Sequence, residues 1–254
     1  MDIFRLENLN ITLWGKKILE QISLQVPSNS LIAILAPNGS GKTTLMQSIL
    51  GMHAISSGAI YFNEKDFLSL NYLEKSKILA FVPQEFYCAF DYSVLDFVML
   101  GGINQASFLD HENKELQHKA KKILEELGIL DLAMRGVFTL SGGQKQMLLL
   151  ARALFQESRV LLLDEPTAWL DLKNQFIFFK VLKEQIKKRG LCVLMNIHDP
   201  NLVCLYADGV VFLKNGKKIY EGSVEDGIKS TTLSLLYDMP IEVLRLEDRI
   251  LVTY

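Results

Sequence analysis

Residues 31–50 read Leu31-Ile-Ala-Ile-Leu35, Ala36-Pro-Asn-Gly-Ser-Gly-Lys-Thr43 and Thr44-Leu-Met-Gln-Ser-Ile-Leu50, and this stretch decides the fold. Five consecutive apolar residues suit a strand covered on both faces, as in a largely parallel sheet. A Gly-rich turn then leads into a helix from Lys42, with Gly51 as its stop. Gly39 and Gly41 allow backbone N–H groups to converge on one point without Cβ clashes. The helix N-terminus adds unpaired donors and partial positive charge. Asn38, Gly39, Ser40, Gly41, Lys42, Thr43 and Thr44 are therefore candidate phosphate ligands. Lys42 can reach the outer phosphates of a nucleotide, and Thr43 can place its hydroxyl on Mg²⁺. Ala36 stands where such a loop usually has Gly. Ordinary dihedrals at Ala36 are expected, since a left-handed Ala would cost about 1 kcal/mol or more.

Outward from this unit, strands alternate with helices, the pattern of an α/β fold. Alternating runs within 3–26, such as Leu9-Asn-Ile-Thr-Leu13, suit an N-terminal antiparallel β portion with one buried face. Ile78 to Val82 reads as a strand ending at Pro83. From about 88 to 158 the spacing turns helical: Ser93 to Leu100, a charged helix over His111 to Leu127, and Gln144 to Phe155. The expected architecture is one domain over 1–254. Its core occupies 1–87 and 159–254, and residues 88–158 form an inserted helical lobe. The core resumes with a strand at 159–163, a helix near 173–189, a strand Leu191 to Met195, a short helix after Asp199 and a strand Asp208 to Leu213. Lys214-Asn-Gly-Lys217 marks a hairpin. Met239 to Arg245 and Arg249 to Tyr254 form a small two-stranded pair.

Composition narrows the function. The 254 residues carry a formal charge of −2, so no global basic field gathers nucleic acid. Apolar residues reach 49%, yet no uninterrupted run approaches the roughly 18–20 residues that cross a bilayer. Met1 to Glu7 carries early charges and no long apolar block, so no signal peptide is expected. Cys88, Cys192 and Cys204 are few and unpatterned, as buried thiols in a reducing compartment would be.

Two further stretches carry chemistry. In Arg159-Val-Leu-Leu-Leu-Asp-Glu-Pro-Thr167 a buried strand ends in paired carboxylates. Neighbouring strand residues face opposite ways, so the two can take different roles. Asp164 is the expected Mg²⁺ partner and Glu165 the group that polarises the attacking water; the bland alternative is an acidic turn. Leu140-Ser-Gly-Gly-Gln144 precedes a helix, and Ser141 could be simply its N-cap. An open helix N-terminus also attracts anions, so the two readings share their physics. Arg152 and the acidic strand just downstream favour the second.

In order and spacing, Lys42, Ser141 and Asp164 resemble the ATP-binding cassette family over nearly the whole chain. That resemblance implies an α/β phosphate-loop NTPase fold, ATP and Mg²⁺ as substrate and cofactor, and an ATPase working as a homodimer. Each of its two pockets would be completed by Ser141, Gly142, Gly143 and Gln144 of the other copy. Trp14, where the family more often has Tyr, resembles the aromatic stacked on adenine. Gln84 resembles the glutamine that reaches Mg²⁺ and the attacking water. Asp171 resembles the aspartate crossing the dimer interface, with Trp169 bulkier than usual beside it. His198 resembles the switch histidine at the γ-phosphate.

The aromatic segment Glu85 to Gly102 is most similar to ATPase subunits of uptake systems for ferric siderophores, haem, cobalamin and related chelates, or oxyanions such as molybdate. The resemblance implies two separate transmembrane permease subunits and a solute-binding protein. The chain would then lie at the cytoplasmic face of the inner membrane, with no nucleic-acid partner. The alternative is a soluble cassette ATPase of iron–sulfur cluster assembly, which would share every catalytic residue.

Overall fold

The structure is a computed structural model and describes residues 3–102, 114–247 and 249–254. The chain divides into two compact units, Met1–Leu70 with Gly190–Tyr254, and Asn71–Arg189.

In chain order, the first unit begins with β1 (Ile3–Leu13), β2 (Lys16–Pro27), β3 (Ser30–Leu35), α1 (Lys42–Ile49), β4 (Ser57–Phe62) and β5 (Lys65–Asp66). The second unit holds α2 (Tyr72–Ile78), β6 (Leu79–Val82), α3 (Val94–Met99), α4 (Lys114–Glu126), α5 (Gly142–Phe155), β7 (Val160–Asp164) and α6 (Leu172–Arg189). The first unit then resumes with β8 (Cys192–Asn196), α7 (Pro200–Tyr206), β9 (Gly209–Lys214), β10 (Lys217–Gly222), α8 (Val224–Gly227), α9 (Ser230–Tyr237), β11 (Glu242–Leu246) and β12 (Arg249–Thr253).

In the first unit, β1 and β2 pair antiparallel, and β1 also pairs β4. Phe4, Leu6, Leu9 and Ile11 face the core from β1, and Leu19, Ile22, Leu24 and Val26 from β2. Trp14 and Gly15 both have positive φ (49° and 76°), which gives the hairpin a turn matching the strand twist. β3 lies parallel to both β8 and β9. Leu31, Ala33, Ile34 and Leu35 of its apolar run are buried, with strands flanking it on both sides, and Ile32 is half-buried. Asn215 and Gly216, at φ 48° and 75°, close the β9–β10 hairpin that the sequence marked. β11 and β12 form the small two-stranded pair, and Val252 of β12 is bonded through both backbone groups to the side-chain amide of Asn201 on α7.

In the second unit, α3, α4 and α5 pack on one another. On α4, Leu116, Ala120, Ile123 and Leu124 recur at helical spacing on one buried face. Residues 111–113, where the charged helix was expected to begin, lie outside the described residues. β6 and β7 run parallel, with Val82 opposite Leu163. Arg189, at the end of α6, joins three helix ends: it bonds Glu126 of α4 at 3.1 Å, the Leu154 carbonyl of α5 and Gln185 of its own helix.

Candidate nucleotide site

β3 delivers the chain into the loop at Ala36, which is fully buried and absent from the positive-φ residues. Its dihedrals are thus the ordinary ones expected. Its carbonyl accepts a 2.8 Å hydrogen bond from Lys42 Nζ, which folds the lysine back over the loop. Gly39 and Gly41 take φ of 77° and 95°, where a side chain would strain the backbone. A Cβ at Gly41 would also approach Leu19 Cδ2 to 2.7 Å. Gly41 is the N-cap of α1 and supplies no side-chain cap, so the start of that helix carries no side chain of the cap residue. Ser40 is buried, Asn38, Gly39 and Thr43 are exposed, and Thr44 is half-buried. Trp14 is 95% exposed at its turn, with its ring open to a planar partner.

His198 lies in the same unit. Ile34 of β3 is level with Asn196 of β8, and Ile197 N donates to the Ile34 carbonyl. Two residues on along each strand, Ala36 and His198 therefore leave the same sheet edge. Asp199 next to it caps α7 through Asn201 N at 2.8 Å.

In the second unit, β7 ends at Asp164, only 5% exposed, and Glu165 follows with φ of 49°. Left-handed backbone at a non-Gly residue costs of order 1 kcal/mol or more. The register of β6 with β7 sets Gln84 beside Glu165, and Gln84 Nε2 donates to Glu165 Oε2 at 3.0 Å. Ser141 is exposed and caps α5 in a reciprocal box: its Oγ accepts from Gln144 N, and Gln144 Oε1 accepts from Ser141 N. Gly143 lies so close to Asn174 that a Cβ would sit 2.9 Å from the amide carbon. Asn174 N in turn donates to Asp171 Oδ1 at 2.8 Å. Asp171 and Trp169 are exposed. Arg152 stacks its guanidinium over Phe97 at 5.2 Å, a packing contact within the helical cluster.

Lys42, Thr43, Trp14 and His198 thus belong to one unit, and Gln84, Ser141, Asp164, Glu165 and Asp171 to the other. Thr43 in the first unit, and Asp164 and Gln84 in the second, each carry oxygen donors of the hard kind Mg²⁺ prefers. Among the described residues no group of three or more His, Cys, Asp or Glu could hold a metal. Mg²⁺ in nucleotide sites needs no such cluster, being held by one or two carboxylates and the substrate's own phosphates. Sequence reasoning passed over Gln146, buried at 4% exposure, whose Nε2 donates to the Gln84 carbonyl at 3.0 Å. The available signal was one amide on the otherwise apolar buried face of α5.

The sequence model of the family described as "ABC transporter" matches residues 19–168. The chain belongs to this family. Its members couple ATP hydrolysis to their work, and the chain is an ATP-binding ATPase of this type. It is 44% identical over 251 residues to the "Probable iron chelatin transport ATP-binding protein" of Helicobacter pylori strain J99, covering 98% of both chains. It is 30% identical to the "Iron(3+)-hydroxamate import ATP-binding protein FhuC" of Bacillus subtilis, over 96% of this chain and 90% of that one. Among solved structures, the one described as "An inward-facing conformation of a putative metal-chelate type ABC transporter" superposes with a TM-score of 0.86 at 28% identity, over 100% of this chain and 98% of the other. No helix of this ABC protein, among the described residues, is long and apolar enough to cross a membrane.

Proposed function

We propose that this ABC ATPase powers an importer of iron chelates or related metal chelates, working as a homodimer beneath two separate permease subunits at the cytoplasmic face of the membrane. One observation carries the reading: the likeness to the iron chelatin transport relative runs end to end rather than over the nucleotide-binding core alone. The iron–sulfur assembly alternative has no comparable support, since both relatives above are named for transport or import. A periplasmic or surface solute-binding protein would deliver the chelate.

In this reading Lys42 and the backbone N–H groups of 38–43 bind the phosphates, and Trp14 stacks on adenine. Thr43, Asp164 and Gln84 would hold Mg²⁺, which would offset charge on the transferring phosphoryl group. Glu165 polarises the attacking water, and His198 senses the γ-phosphate. Ser141 and Gly143 of one copy complete the phosphate shell begun by Lys42 of the other, and Asp171 lies at the seam. Such preorganised donors act where charge develops in the transition state. Tyr87 and Phe90, 87% and 67% exposed just after Gln84, supply aromatic area for docking a permease helix.

The test is isolation of the affinity-tagged full chain from detergent-solubilised membranes of its own cell. Expected is co-purification of an integral membrane protein in equal amount, with faster ATP hydrolysis in the complex than in the isolated subunit. Recovery with soluble assembly proteins only, and no such acceleration by membrane subunits, would overturn the transport reading.

A further inference from the structure

Gln146 is an amide on the buried face of α5, between Lys145 and Met147. Its Nε2 donates to the Gln84 carbonyl, while its Oε1 is buried with no hydrogen-bond partner among the described residues. A buried orphan acceptor costs about 1–3 kcal/mol. Methionine has similar volume and carries no such penalty, so packing alone is a poor reason for an amide here. Flipping the amide would set oxygen against the Gln84 carbonyl, so the donor must face that loop.

The loop is held by α5 at a second point. Phe86 packs on Phe97 of α3 with ring centres 5.2 Å apart, and Lys145 Nζ sits 5.6 Å over the Phe86 ring. Lys145 and Gln146, one turn into the helix that Ser141 caps, thereby hold the loop on either side of Glu85, one through the Phe86 ring and the other through the Gln84 carbonyl. From Gln84 the chain of contacts continues through its own amide to Glu165.

We propose that Gln146 is a positioning residue for ATP hydrolysis: its buried amide fixes the Gln84 carbonyl and so aims the Gln84 side chain at Glu165. The inference rests on the roles proposed above for Gln84 and Glu165. It adds that the helix headed by Ser141 sets the place of the glutamine on which the base depends. Gln146 acts through Gln84 in this proposal and has no direct role in the chemical step.

The test uses the full chain with Gln146→Met, Gln84→Ala and the double substitution, and Gln146→Asn as a shorter amide that falls short of the carbonyl. Steady-state ATP hydrolysis, melting temperature and amide hydrogen exchange are measured. Expected for Gln146→Met is a roughly tenfold fall in kcat, about 1.4 kcal/mol, with KM within about twofold and no large drop in melting temperature. Gln146→Asn should follow it. In the Gln84→Ala background Gln146→Met should have no further effect, because the group it aims is gone. Amides of residues 85–87 should exchange faster and those of α5 unchanged. Unchanged kcat, a tenfold fall that persists on top of Gln84→Ala, or unaltered exchange at 85–87 would each overturn the proposal. Failure of the underlying site reading looks different: Glu165→Gln and Gln84→Ala would themselves hydrolyse ATP normally, while the exchange change at 85–87 would still appear.

Discussion

Gln84 Nε2 lies 3.0 Å from Glu165 Oε2, joining residues 81 positions apart in the chain. The contact follows from parallel pairing: with Val82 opposite Leu163, the second residue beyond each strand partner emerges at the same edge. The carboxylate is thus held by an amide donor while its backbone occupies a left-handed conformation at φ 49°. A carboxylate held this way is oriented before substrate arrives, and under the role proposed for Glu165 its replacement should separate binding from chemistry.

Glu165→Gln keeps shape and hydrogen bonding and removes the carboxylate proposed as the base. ATP binding is expected to persist while turnover falls by 10² or more. The trapped ATP state should elute from gel filtration as a dimer, and the variant without ATP should not. Near-normal turnover would remove Glu165 from its role.

The same residue offers a stability test. Glu165→Ala and Glu165→Gly both lose the bond to Gln84, and only the second relieves the left-handed strain. The Gly variant is expected to melt higher, by about 2–4 °C for about 1 kcal/mol, reversing the usual order of these two residues. Both should be inactive. A higher melting temperature for the Ala variant would mean that φ carries no cost there.

Ala36→Gly tests the departure in the phosphate loop. Position 36 has ordinary dihedrals and contributes its carbonyl to Lys42, a group that every residue has. Nucleotide affinity should change by less than about tenfold, with a stability loss of roughly 0.5–1 kcal/mol from added chain entropy. Titration with a fluorescent nucleotide measures the first, thermal unfolding the second.

Trp14 is one of two tryptophans, and Trp169→Phe leaves it as the only reporter. ATP should quench its emission, and Trp14→Ala should weaken ATP binding by about tenfold, in line with stacking worth about 1–3 kcal/mol. An unresponsive Trp14 would remove it from the adenine site.

Acid should loosen the helix junction at Glu126. Burial pushes its carboxyl up, yet hydrogen bonds from Lys188 and Arg189, with their charges, hold it below the ordinary range on balance. A carboxylate lowered in the folded state adds stability that is present at neutral pH and lost as pH falls through its folded value. Glu126→Gln should therefore cost on the order of 1 kcal/mol at pH 7 and much less near pH 3. Denaturant unfolding at the two pH values checks the sign.

Much of the fold was legible because local chemistry forced it. Gly39, Gly41 and the Asn215-Gly216 pair all adopt the positive φ their residue types suggest. The run Leu31 to Leu35 is continuously apolar, as suits the strand β3 that it forms. Less visible were β4 and α2. α2 buries no residue and so shows no apolar stripe, although its Asn71–Glu74 capping box was readable. α8 and α9 were likewise missed, in a segment whose apolar residues are scattered. At the site, residue types and spacing marked Lys42, Ser141, Asp164 and Glu165 as candidates. The Gln146–Gln84–Glu165 chain could not be read, since side-chain contacts across 62 and 81 positions depend on register.

The most direct test of a pocket shared between two copies is to mix Lys42→Ala with Ser141→Ala, each expected to be inactive alone. In a mixed pair, one pocket combines the intact lysine of one copy with the intact serine of the other. Random pairing should then restore about a quarter of wild-type hydrolysis. Activity no greater than that of the two variants measured separately would contradict a pocket built from two copies.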